Sequence, residues 1–424
     1  MKILFVADGR SPIAINWIKY WTEREHEVFL ATTFPASPDL TLARVDFISV
    51  AFSQAKSSPS TTVRQKKGLL WGAGMINLRT AIRHWMGPLT LPKTAQQLNK
   101  IIAEVQPDLV HALRVPYEGM LASTAKKMAG DSFPPLLLSI WGNDFTLHAP
   151  SSPLMRHYTR QALSLTDALH ADCHRDIKLA ESWGFNASLP SIVLPGAGGI
   201  DGTVFYPPTP NEDPKGFSHN IIKPESKPSI SSPKKGNATK PFGSKTPLII
   251  NPRGFRNYIR NDSFFKAIPL VLKERPDATF ICPTMKGEAQ AEDWVKRLGV
   301  EKSTTLTVPL ERKQLADTFR RAQILVSPST HDGTPNSLLE GIACGAFPIA
   351  GDLESIREWI EPDVNGLLID SGDEEALARA ILRALNDDDL REQAFILNQQ
   401  IIAERAEYGR SMAQAEDFYK GIIN

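Results

Sequence analysis

The sequence predicts an α/β protein built on parallel sheets, and three observations carry this prediction. Short apolar runs at residues 3–7 and 324–326 each end in a polar loop, as buried parallel strands do. A helical segment follows each loop, and a second apolar run follows each helix, at residues 27–32 and 347–350. The chain has 424 residues, which exceeds one ordinary domain, so we expect two or three domains.

The composition excludes several classes of protein. The formal net charge is +1, from 48 basic and 47 acidic residues, so no nucleic-acid partner is expected. The three cysteines are scattered, which predicts a reducing compartment, no disulfide framework and no metal site. No apolar run approaches the roughly 18 residues of a membrane span, and the N-terminal run reads as a first strand. We therefore expect a cytoplasmic protein.

The N-terminal half begins with a βαβ pattern. The first strand ends in the loop Asp8-Gly9-Arg10-Ser11, and an amphipathic stretch at residues 13–24 leads to the second strand. A dinucleotide fingerprint requires G-x-G-x-x-G at this loop, and only one glycine is present, which argues against NAD. The alternation continues with helices at 93–105, 158–168 and 176–183 and with strands at 109–112, 135–140, 168–171 and 192–195.

A basic stretch in the first half has two interpretations. Its apolar residues recur at helical spacing, and arginines, lysines and a histidine flank them within residues 64–85. Such a helix can rest on an anionic membrane or hold a lipid-linked acceptor. More often such a stripe packs on the core of its own domain, and both alternatives stay open.

The domain boundaries follow from a change in composition. Residues 207–247 are rich in Pro, Ser, Lys, Asn and Gly and lack apolar periodicity, which predicts a flexible interdomain insertion. We therefore expect an N-terminal acceptor domain at 1–206 and a C-terminal nucleotide-sugar domain at 248–405. A last helix at 406–424 is predicted to pack back towards the N-terminal domain.

The second half contains the most informative stretch of the chain. After the strand at 324–326, Thr334 is placed to cap a helix that starts at Pro335 and stops before Gly345. The free amides of Asn336 and Ser337 and the helix dipole suit a phosphate. Two acids, Asp332 in the loop and Glu340 in the helix, suit the hydroxyls of a sugar and a ribose.

The stretch DGTPNSLLEGIACGAFPIA resembles, without a gap, the donor-site signature of the retaining glycosyltransferases of family 4, in which an acid precedes G-F-P-N and a Glu follows. Asp332 stands in place of the usual Glu, Thr334 in place of Phe and Gly341 in place of Ala. The resemblance implies a GT-B architecture, in which two Rossmann-like domains face each other across a substrate cleft.

The resemblance also implies roles for individual residues. The diphosphate is expected to bind Arg253 and Arg260, with Arg256 as an alternative to Arg260. The donor sugar is expected to bind Asp332 and the backbone from Gly333 to Ser337, and the ribose is expected to bind Glu340. The nucleotide base is expected to pack against the loops near Pro283, Val308 and Leu310. The resemblance assigns Gly9 to the donor as well. The residues that it implies for the acceptor and the cleft are Arg10, Ser11, His111, Asp144 and Trp141, the last of which stands where much of the family has a His. For His111, a buried structural role is the equal alternative.

The implied reaction moves a sugar from a nucleotide-diphosphate sugar to a hydroxyl acceptor, with retained configuration and without a metal or cofactor. Polysaccharide, glycolipid or another glycoconjugate is the expected product class, and a peripheral contact with the inner face of the membrane is an alternative. Two other functions stay open, a nucleotide-sugar epimerase and a catalytically inactive sugar-nucleotide-binding protein. The sequence does not indicate an oligomeric state.

Overall fold

The N-terminal half forms one parallel sheet. The computed structural model describes residues 1–53, 83–208, 246–256 and 258–423. Seven strands lie in the order β3-β2-β1-β4-β5-β6-β7, so the strand order reverses between β1 and β4. Their bounds are β1 Lys2–Ala7, β2 Glu27–Thr32, β3 Arg44–Phe47, β4 Leu109–Leu113, β5 Leu136–Ile140, β6 Ala168–Ala171 and β7 Ser191–Val193.

The C-terminal half forms a second parallel sheet, which confirms the predicted α/β class. Six strands lie in the order β10-β9-β8-β11-β12-β13, with the reversal between β8 and β11. Because ligands of such sheets bind beyond the carboxyl ends of the strands at the reversal, the loops after β8 and β11 are the expected site. The bounds are β8 Leu248–Ile250, β9 Thr279–Cys282, β10 Thr304–Leu306, β11 Ile324–Ser327, β12 Phe347–Gly351 and β13 Leu367–Ile369.

Helices cover both sheets and bury their apolar faces against them. In the N-terminal half these are α1 Pro12–Thr22, α2 Leu91–Val105, α3 Met120–Ala129, α4 Pro153–Leu165 and α5 His174–Trp183. In the C-terminal half they are α6 Asn261–Glu274, α7 Ala289–Arg297, α8 Arg312–Arg321, α9 Asn336–Ala343, α10 Glu354–Arg357, α11 Glu374–Asn386, α12 Asp388–Arg405 and α13 Tyr408–Ile423.

The last helix, α13, packs on the N-terminal sheet. Tyr419 is fully buried, and its ring stacks on Trp21 with the ring centroids 4.1 Å apart. Trp17 donates a hydrogen bond of 3.0 Å to the Tyr419 hydroxyl. Where the chain crosses between the halves, the amide of Ile200 donates to Ala406 O at 2.6 Å and Tyr408 N donates to Ile200 O at 3.0 Å. The two crossing segments therefore run side by side.

Two sequence predictions fall mainly outside the described residues. The insertion is one, since residues 209–245 are not described, and most of the basic helical stretch is the other. Of that stretch, residues 83–85 are described, and Trp85 is 57% exposed. The strand β3 was not predicted at all. Among the described residues, no helix has the length and apolar character needed to cross a membrane.

Candidate active site

Three predicted residues meet at the carboxyl end of the second sheet. Arg253 follows β8, Asp332 lies in the loop after β11, and Ser337 lies in the first turn of α9. The Arg253 guanidinium donates a hydrogen bond to the Asp332 carboxylate and another, of 3.2 Å, to Ser337 Oγ. Its Nε is buried and has no hydrogen-bond partner among the described residues. Burial raises the pKa of Asp332, and the nearby Arg253 charge opposes that rise.

The start of α9 differs from the prediction. Pro335 is the N-cap residue, and Thr334 does not cap the helix. Instead the Thr334 hydroxyl donates to Asp172 O of the N-terminal half and accepts a hydrogen bond of 2.9 Å from Trp359 Nε1. The capping prediction was wrong because a partner from the opposite half of the chain competes for the hydroxyl. The amides of Asn336 and Ser337 still lack helical acceptors at this end.

The other two arginines have different surroundings from Arg253. Arg260 pairs with Asp262 through Nε at 2.8 Å and Nη2 at 2.7 Å. A Cβ on Gly372, after β13, would lie 3.1 Å from Arg260 Nη1. Arg256 is exposed and donates only to Phe255 O among the described residues, at 2.9 Å. These contacts favour Arg253, and the role of Arg260 stays a prediction.

Glu340 lies in the second turn of α9 and is partly buried. Burial raises its pKa to about 7, and the charge of Arg312 opposes the rise. Its carboxylate accepts no hydrogen bond from the side chains that the structure describes. A partly buried acid without such partners is available for ligand hydroxyls.

The loops predicted to hold the base lie at the ends of β9 and β10. Thr307 N donates to Cys282 O at 3.1 Å, which joins the two strand ends. Pro283 is buried and Val308 is 57% exposed, while Leu310 is partly buried. A Cβ on Gly254 would lie 2.6 Å from Thr284 Oγ1, so the loop after β9 packs beside the Arg253 loop.

The N-terminal sheet brings a second loop against residues 328–335, the loop between β11 and α9, which we call the donor loop after the role that the resemblance implies. A Cβ on Gly142, just after β5, would collide with the backbone of Gly333. Arg175 at the start of α5 joins the two loops, since it donates to Gly142 O at 2.8 Å and to Asp332 O at 2.7 Å. Ser355 Oγ donates to the same Asp332 oxygen at 2.7 Å. The backbone of the predicted sugar-binding residue is thus fixed from both halves.

Sequence reasoning missed Arg175 and its neighbours. The Glu358 carboxylate accepts hydrogen bonds from His174 N at 2.8 Å and Arg175 N at 2.9 Å, so a side chain of the C-terminal half caps a helix of the N-terminal half. The signal was present in the charged run Asp172-Cys173-His174-Arg175-Asp176 directly after β6. Charges at the carboxyl end of a parallel strand mark the ligand edge of a sheet.

The same run contains a group of possible metal ligands. One ligand atom each from Asp172, Cys173 and Asp176 lies within 4.8 Å of the others. Asp176 pairs with Arg175 at 2.7 Å, and burial raises the pKa of the Cys173 thiol beyond its ordinary range. A protonated thiol and a carboxylate already bound to arginine are poor ligands, so we assign no metal here.

The loop after β1 holds the predicted residues Gly9, Arg10 and Ser11. Gly9 N donates to Thr32 Oγ1 at 3.0 Å, and Arg10 pairs with Asp8 at 2.9 Å. Ser11 is the N-cap of α1, and its hydroxyl accepts from Ala14 N at 3.4 Å. The structure therefore uses Ser11 to begin a helix, whereas the resemblance had implied a contact with substrate.

His111 does not reach the cleft. It is fully buried, its Nδ1 is hydrogen-bonded to the Tyr419 hydroxyl, and its Nε2 lies 2.7 Å from Ser139 Oγ. Burial lowers its pKa well below the ordinary value, so the ring is neutral. The cleft assignment was wrong because α13, about 300 residues away in sequence, covers β4 at this point. The burial and the two hydrogen bonds support the structural alternative for His111.

Asp144 also has a structural role in place of the predicted contact with substrate. Its carboxylate is buried and accepts hydrogen bonds from Arg114 Nε at 2.8 Å, Val115 N at 3.2 Å and Trp141 N at 3.2 Å. It thereby joins the loops after β4 and β5. Trp141 itself is partly buried, and its Nε1 has no partner among the described residues.

Two family models match the chain, one for each half. Residues 2–172 match the model "Glycosyl transferase 4-like", and residues 237–396 match "Glycosyl transferases group 1". Solved structures share the fold along the whole chain. Sucrose-phosphate synthase from Thermosynechococcus elongatus has a TM-score of 0.70 at 14% identity and covers 100% of this chain and 99% of its own. Anabaena HepE in complex with UDP-glucose has a TM-score of 0.67 at 14% identity, with 99% and 100% covered.

Curated relatives match a shorter segment. The D-inositol 3-phosphate glycosyltransferase of Xylanimonas cellulosilytica is 30% identical over 137 residues, which is 32% of this chain and 32% of the relative. A GDP-mannose-dependent monoacylated alpha-(1-6)-phosphatidylinositol monomannoside mannosyltransferase of Corynebacterium glutamicum is 27% identical over 155 residues, which is 34% of this chain and 40% of the relative. The matched segment thus spans about a third of the first of these relatives.

The two facing parallel sheets, with a donor loop at the carboxyl edge of the second, define a protein of the GT-B class. This agrees with the architecture that the sequence resemblance implied. Each half of the chain thus matches a glycosyltransferase family, the N-terminal half the glycosyl transferase 4-like family and the C-terminal half the glycosyl transferases of group 1.

Proposed function

We propose that this protein transfers a sugar from a nucleotide-diphosphate sugar to a hydroxyl acceptor, with retained configuration and without a metal. The observation that carries the proposal is the partly buried Arg253 guanidinium, which faces Asp332 and the first turn of α9. Its Nε and the free amides of that turn are donors without acceptors. A diphosphate satisfies this set of donors, because it brings charged oxygens to all of them.

The roles of the residues follow from this arrangement. Arg253, Ser337 and the start of α9 hold the diphosphate and stabilise the charge that develops on the leaving group. Asp332 then turns from Arg253 to the hydroxyls of the donor sugar, and Glu340 accepts hydrogen bonds from the ribose. The leaving phosphate accepts the proton of the acceptor hydroxyl on the same face, so the anomeric configuration is retained.

Screening for the donor is the first experiment. Among the similar proteins, HepE was crystallised with UDP-glucose and the mannosyltransferase of Corynebacterium glutamicum is named as GDP-mannose-dependent, so both nucleotides belong in the screen. Thermal unfolding is measured with UDP-, GDP- and ADP-sugars, because a ligand that binds the folded state raises the melting temperature with its concentration. Failure of every nucleotide-sugar to stabilise the protein would contradict the proposal.

Transfer and its stereochemistry are tested with the donor that binds. Product formation is followed by NMR of the anomeric proton, with and without EDTA. We expect transfer with retained configuration in both conditions. Conversion of donor without an acceptor would favour an epimerase, and binding without transfer to any acceptor would favour an inactive sugar-nucleotide-binding protein.

A further inference from the structure

A group of basic and aromatic side chains lies on the N-terminal side of the cleft, apart from the donor loop. It consists of Arg83, His84, Arg114, Tyr117 and His148, and we call it the basic cluster. Arg114 and Tyr117 follow β4, and His148 lies in the loop after β5, so they share the carboxyl edge of the first sheet. None of these residues is among those assigned to the donor.

The basic cluster lies one loop away from the donor loop. Arg114 Nη2 donates to Asn143 Oδ1 at 3.0 Å, and Asn143 is adjacent to Gly142, which contacts Gly333 of the donor loop. Tyr258, which follows β8, is close enough to Arg114 to act on its charge. Burial disfavours the charge of Arg114, but Asp144, Glu118 and Tyr258 raise its pKa on balance. The cluster therefore lies beside the loop to which the resemblance assigns the donor sugar, and we expect an acceptor to approach there.

Aromatic rings and backbone contacts hold Arg83 in place. Its guanidinium carbon lies 4.4 Å from the Tyr117 ring centroid and 4.9 Å from that of Phe34. Tyr117 Oη donates to Arg83 O at 3.0 Å, and Ser152 Oγ donates to His84 O at 2.7 Å. The position of the arginine is thus fixed before any ligand binds.

The charge of Arg83 is not balanced by the surrounding carboxylates. Arg10 pairs with Asp8 and Arg114 pairs with Asp144, but no carboxylate of the described residues forms an ion pair with Arg83. Arg83 Nε is buried and has no hydrogen-bond partner in the described part of the chain. A buried donor on a fixed cation requires an acceptor, and in its absence the desolvation is not offset.

Glu118 does not supply that acceptor. It is buried, accepts a hydrogen bond of 2.6 Å from Thr33 Oγ1, and burial raises its pKa to about 7. Close to neutral pH the carboxyl is therefore only partly ionised. The excess positive charge of the cluster is therefore available to bind an anionic ligand.

Two neutral histidines complete the cluster. The rings of His84 and His148 lie edge to face, with centroids 5.6 Å apart. Burial and the charges of Arg114 and Arg83 lower the pKa of both, that of His148 to about 3. Neutral imidazoles next to arginines donate and accept hydrogen bonds at modest desolvation cost, and they suit the hydroxyls that surround an anionic group.

The backbone at the cluster is strained. Arg114 has φ 123° and ψ 145°, and Tyr117 has φ 71° and ψ −54°, both in regions that side chains rarely occupy. The turn closes through Gly119 N, which donates to Arg114 O at 2.9 Å, and a Cβ on Gly119 would collide with Leu138. Strain of this kind persists where a specific side-chain position is required.

We propose that the basic cluster binds a phosphate group carried by the acceptor, with Arg83 as its principal ligand and Arg114 as the second. The inference rests on the proposed glycosyl transfer and names the acceptor class as a phosphorylated hydroxyl compound. A planar guanidinium matches two phosphate oxygens, and the phosphate then places a neighbouring hydroxyl towards the donor loop. A free phosphate ester and a lipid headgroup share this chemistry.

Inorganic phosphate is the first probe, used with the full-length protein. The protein is saturated with the nucleoside diphosphate that the donor screen identifies, which fills the site of Arg253, and phosphate binding is followed by ³¹P NMR. We expect a dissociation constant of the order of 1 mM for the intact cluster, weakened about tenfold or more in Arg83→Gln. Arg83→Lys should recover part of the affinity, since it restores the charge.

Arg297→Gln is the matched control, because Arg297 is an exposed arginine of α7 that is 66% solvent-accessible and distant in sequence from both sites. It should bind phosphate as the unsubstituted protein does. Melting temperatures of all variants are compared to confirm that they fold. Equal phosphate affinity in Arg83→Gln and the unsubstituted protein would overturn the proposal.

Two further measurements are needed. One distinguishes a lipid headgroup from a free phosphate ester, and the other distinguishes failure of this inference from failure of the proposed function. Vesicles of phosphatidylcholine with and without phosphatidylinositol are sedimented with the protein. Retention of the protein with the vesicles that requires both the anionic lipid and Arg83 indicates that the ligand is a lipid headgroup. Retention without that dependence, together with no phosphate binding in solution, would overturn the inference. If no nucleoside diphosphate binds, the proposed function fails, and phosphate binding is then compared between Arg253→Ala and the double variant that also carries Arg83→Gln.

Discussion

The guanidinium of Arg253 is hydrogen-bonded to the carboxylate of Asp332, and the two residues come from loops at the ends of neighbouring strands, β8 and β11. In this partly buried pair, the Asp332 carboxylate compensates the charge of the Arg253 guanidinium. A diphosphate is a stronger partner for the guanidinium than one carboxylate. Under the proposed function, we therefore expect donor binding to release the Asp332 carboxylate from Arg253 towards the donor sugar.

Arg253→Ala should lose transfer by about 100-fold or more. The expected cost is about 3 kcal/mol in transition-state stabilisation, because a charge-assisted contact with the leaving group is removed. Initial rates at saturating acceptor measure the effect. Arg256→Ala is the control, since the exposed Arg256 side chain contacts only a neighbouring carbonyl among the described residues and should change the rate less than about threefold. Near-normal rates in Arg253→Ala would remove the main support for the donor site.

Arg175→Ala should lower transfer without removing donor binding. The side chain holds Gly142 O and Asp332 O together across the two halves, so its loss frees the donor loop from the opposite sheet. We expect a decrease in kcat of roughly 10-fold to 100-fold with a smaller change in the donor dissociation constant, because misplacement of about 1 Å is costly to transfer.

The control for Arg175→Ala is Lys178→Ala in the same helix. Lys178 also reaches across the halves, to Glu354 at 3.5 Å, but its side chain is 74% exposed. An exposed pair of this kind contributes roughly 0 to 1 kcal/mol, so activity should stay near that of the unsubstituted protein. Equal losses in both variants would show that general contact between the halves matters and that the Arg175 bonds have no special role.

The sequence was most informative where the site is local. Asp332, Ser337 and Glu340 lie within one strand-loop-helix unit, so their spacing alone predicts that they share the end of a helix. It was least informative where residues distant in the chain meet. Nothing in the spacing around His111 indicates that Tyr419 covers it, and nothing around Arg175 indicates that it holds Asp332 O. Such contacts depend on the relative placement of two sheets, which periodicity does not encode.

Tyr419→Phe should destabilise the protein and leave the chemistry intact. The hydroxyl is buried and bonded to Trp17 Nε1 and His111 Nδ1, so its removal leaves polar atoms without partners at a cost of about 1–3 kcal/mol. Thermal unfolding should occur at a lower temperature, while transfer rates well below that temperature stay unchanged. Tyr158→Phe is the control, because the Tyr158 hydroxyl makes no hydrogen bond to the described residues. A loss of activity at low temperature would reassign His111 and Tyr419 to the reaction.

The raised pKa of Glu340 predicts that the free energy of unfolding and the donor affinity change in opposite directions as pH rises. Burial raises its pKa to about 7 from the ordinary value of 4.5. The unfolded chain therefore releases this proton at lower pH than the folded protein, and the contribution of Glu340 to the free energy of unfolding falls as pH rises from about 4.5 to 7. Donor binding needs the carboxylate as acceptor, so affinity should rise through the same upper range.

The measurement is the dissociation constant of the donor nucleotide-sugar between pH 6 and pH 8, where its diphosphate does not titrate. We expect affinity to fall by about tenfold at pH 6, where only about a tenth of the carboxyl is ionised. Glu340→Gln should flatten this dependence, because the amide does not titrate, and should also remove its part of the loss of stability. Glu375→Gln, at a residue whose side chain is 74% exposed, should retain both dependences. A pH profile that persists in Glu340→Gln would assign it to another group and leave Glu340 without a role at the ribose.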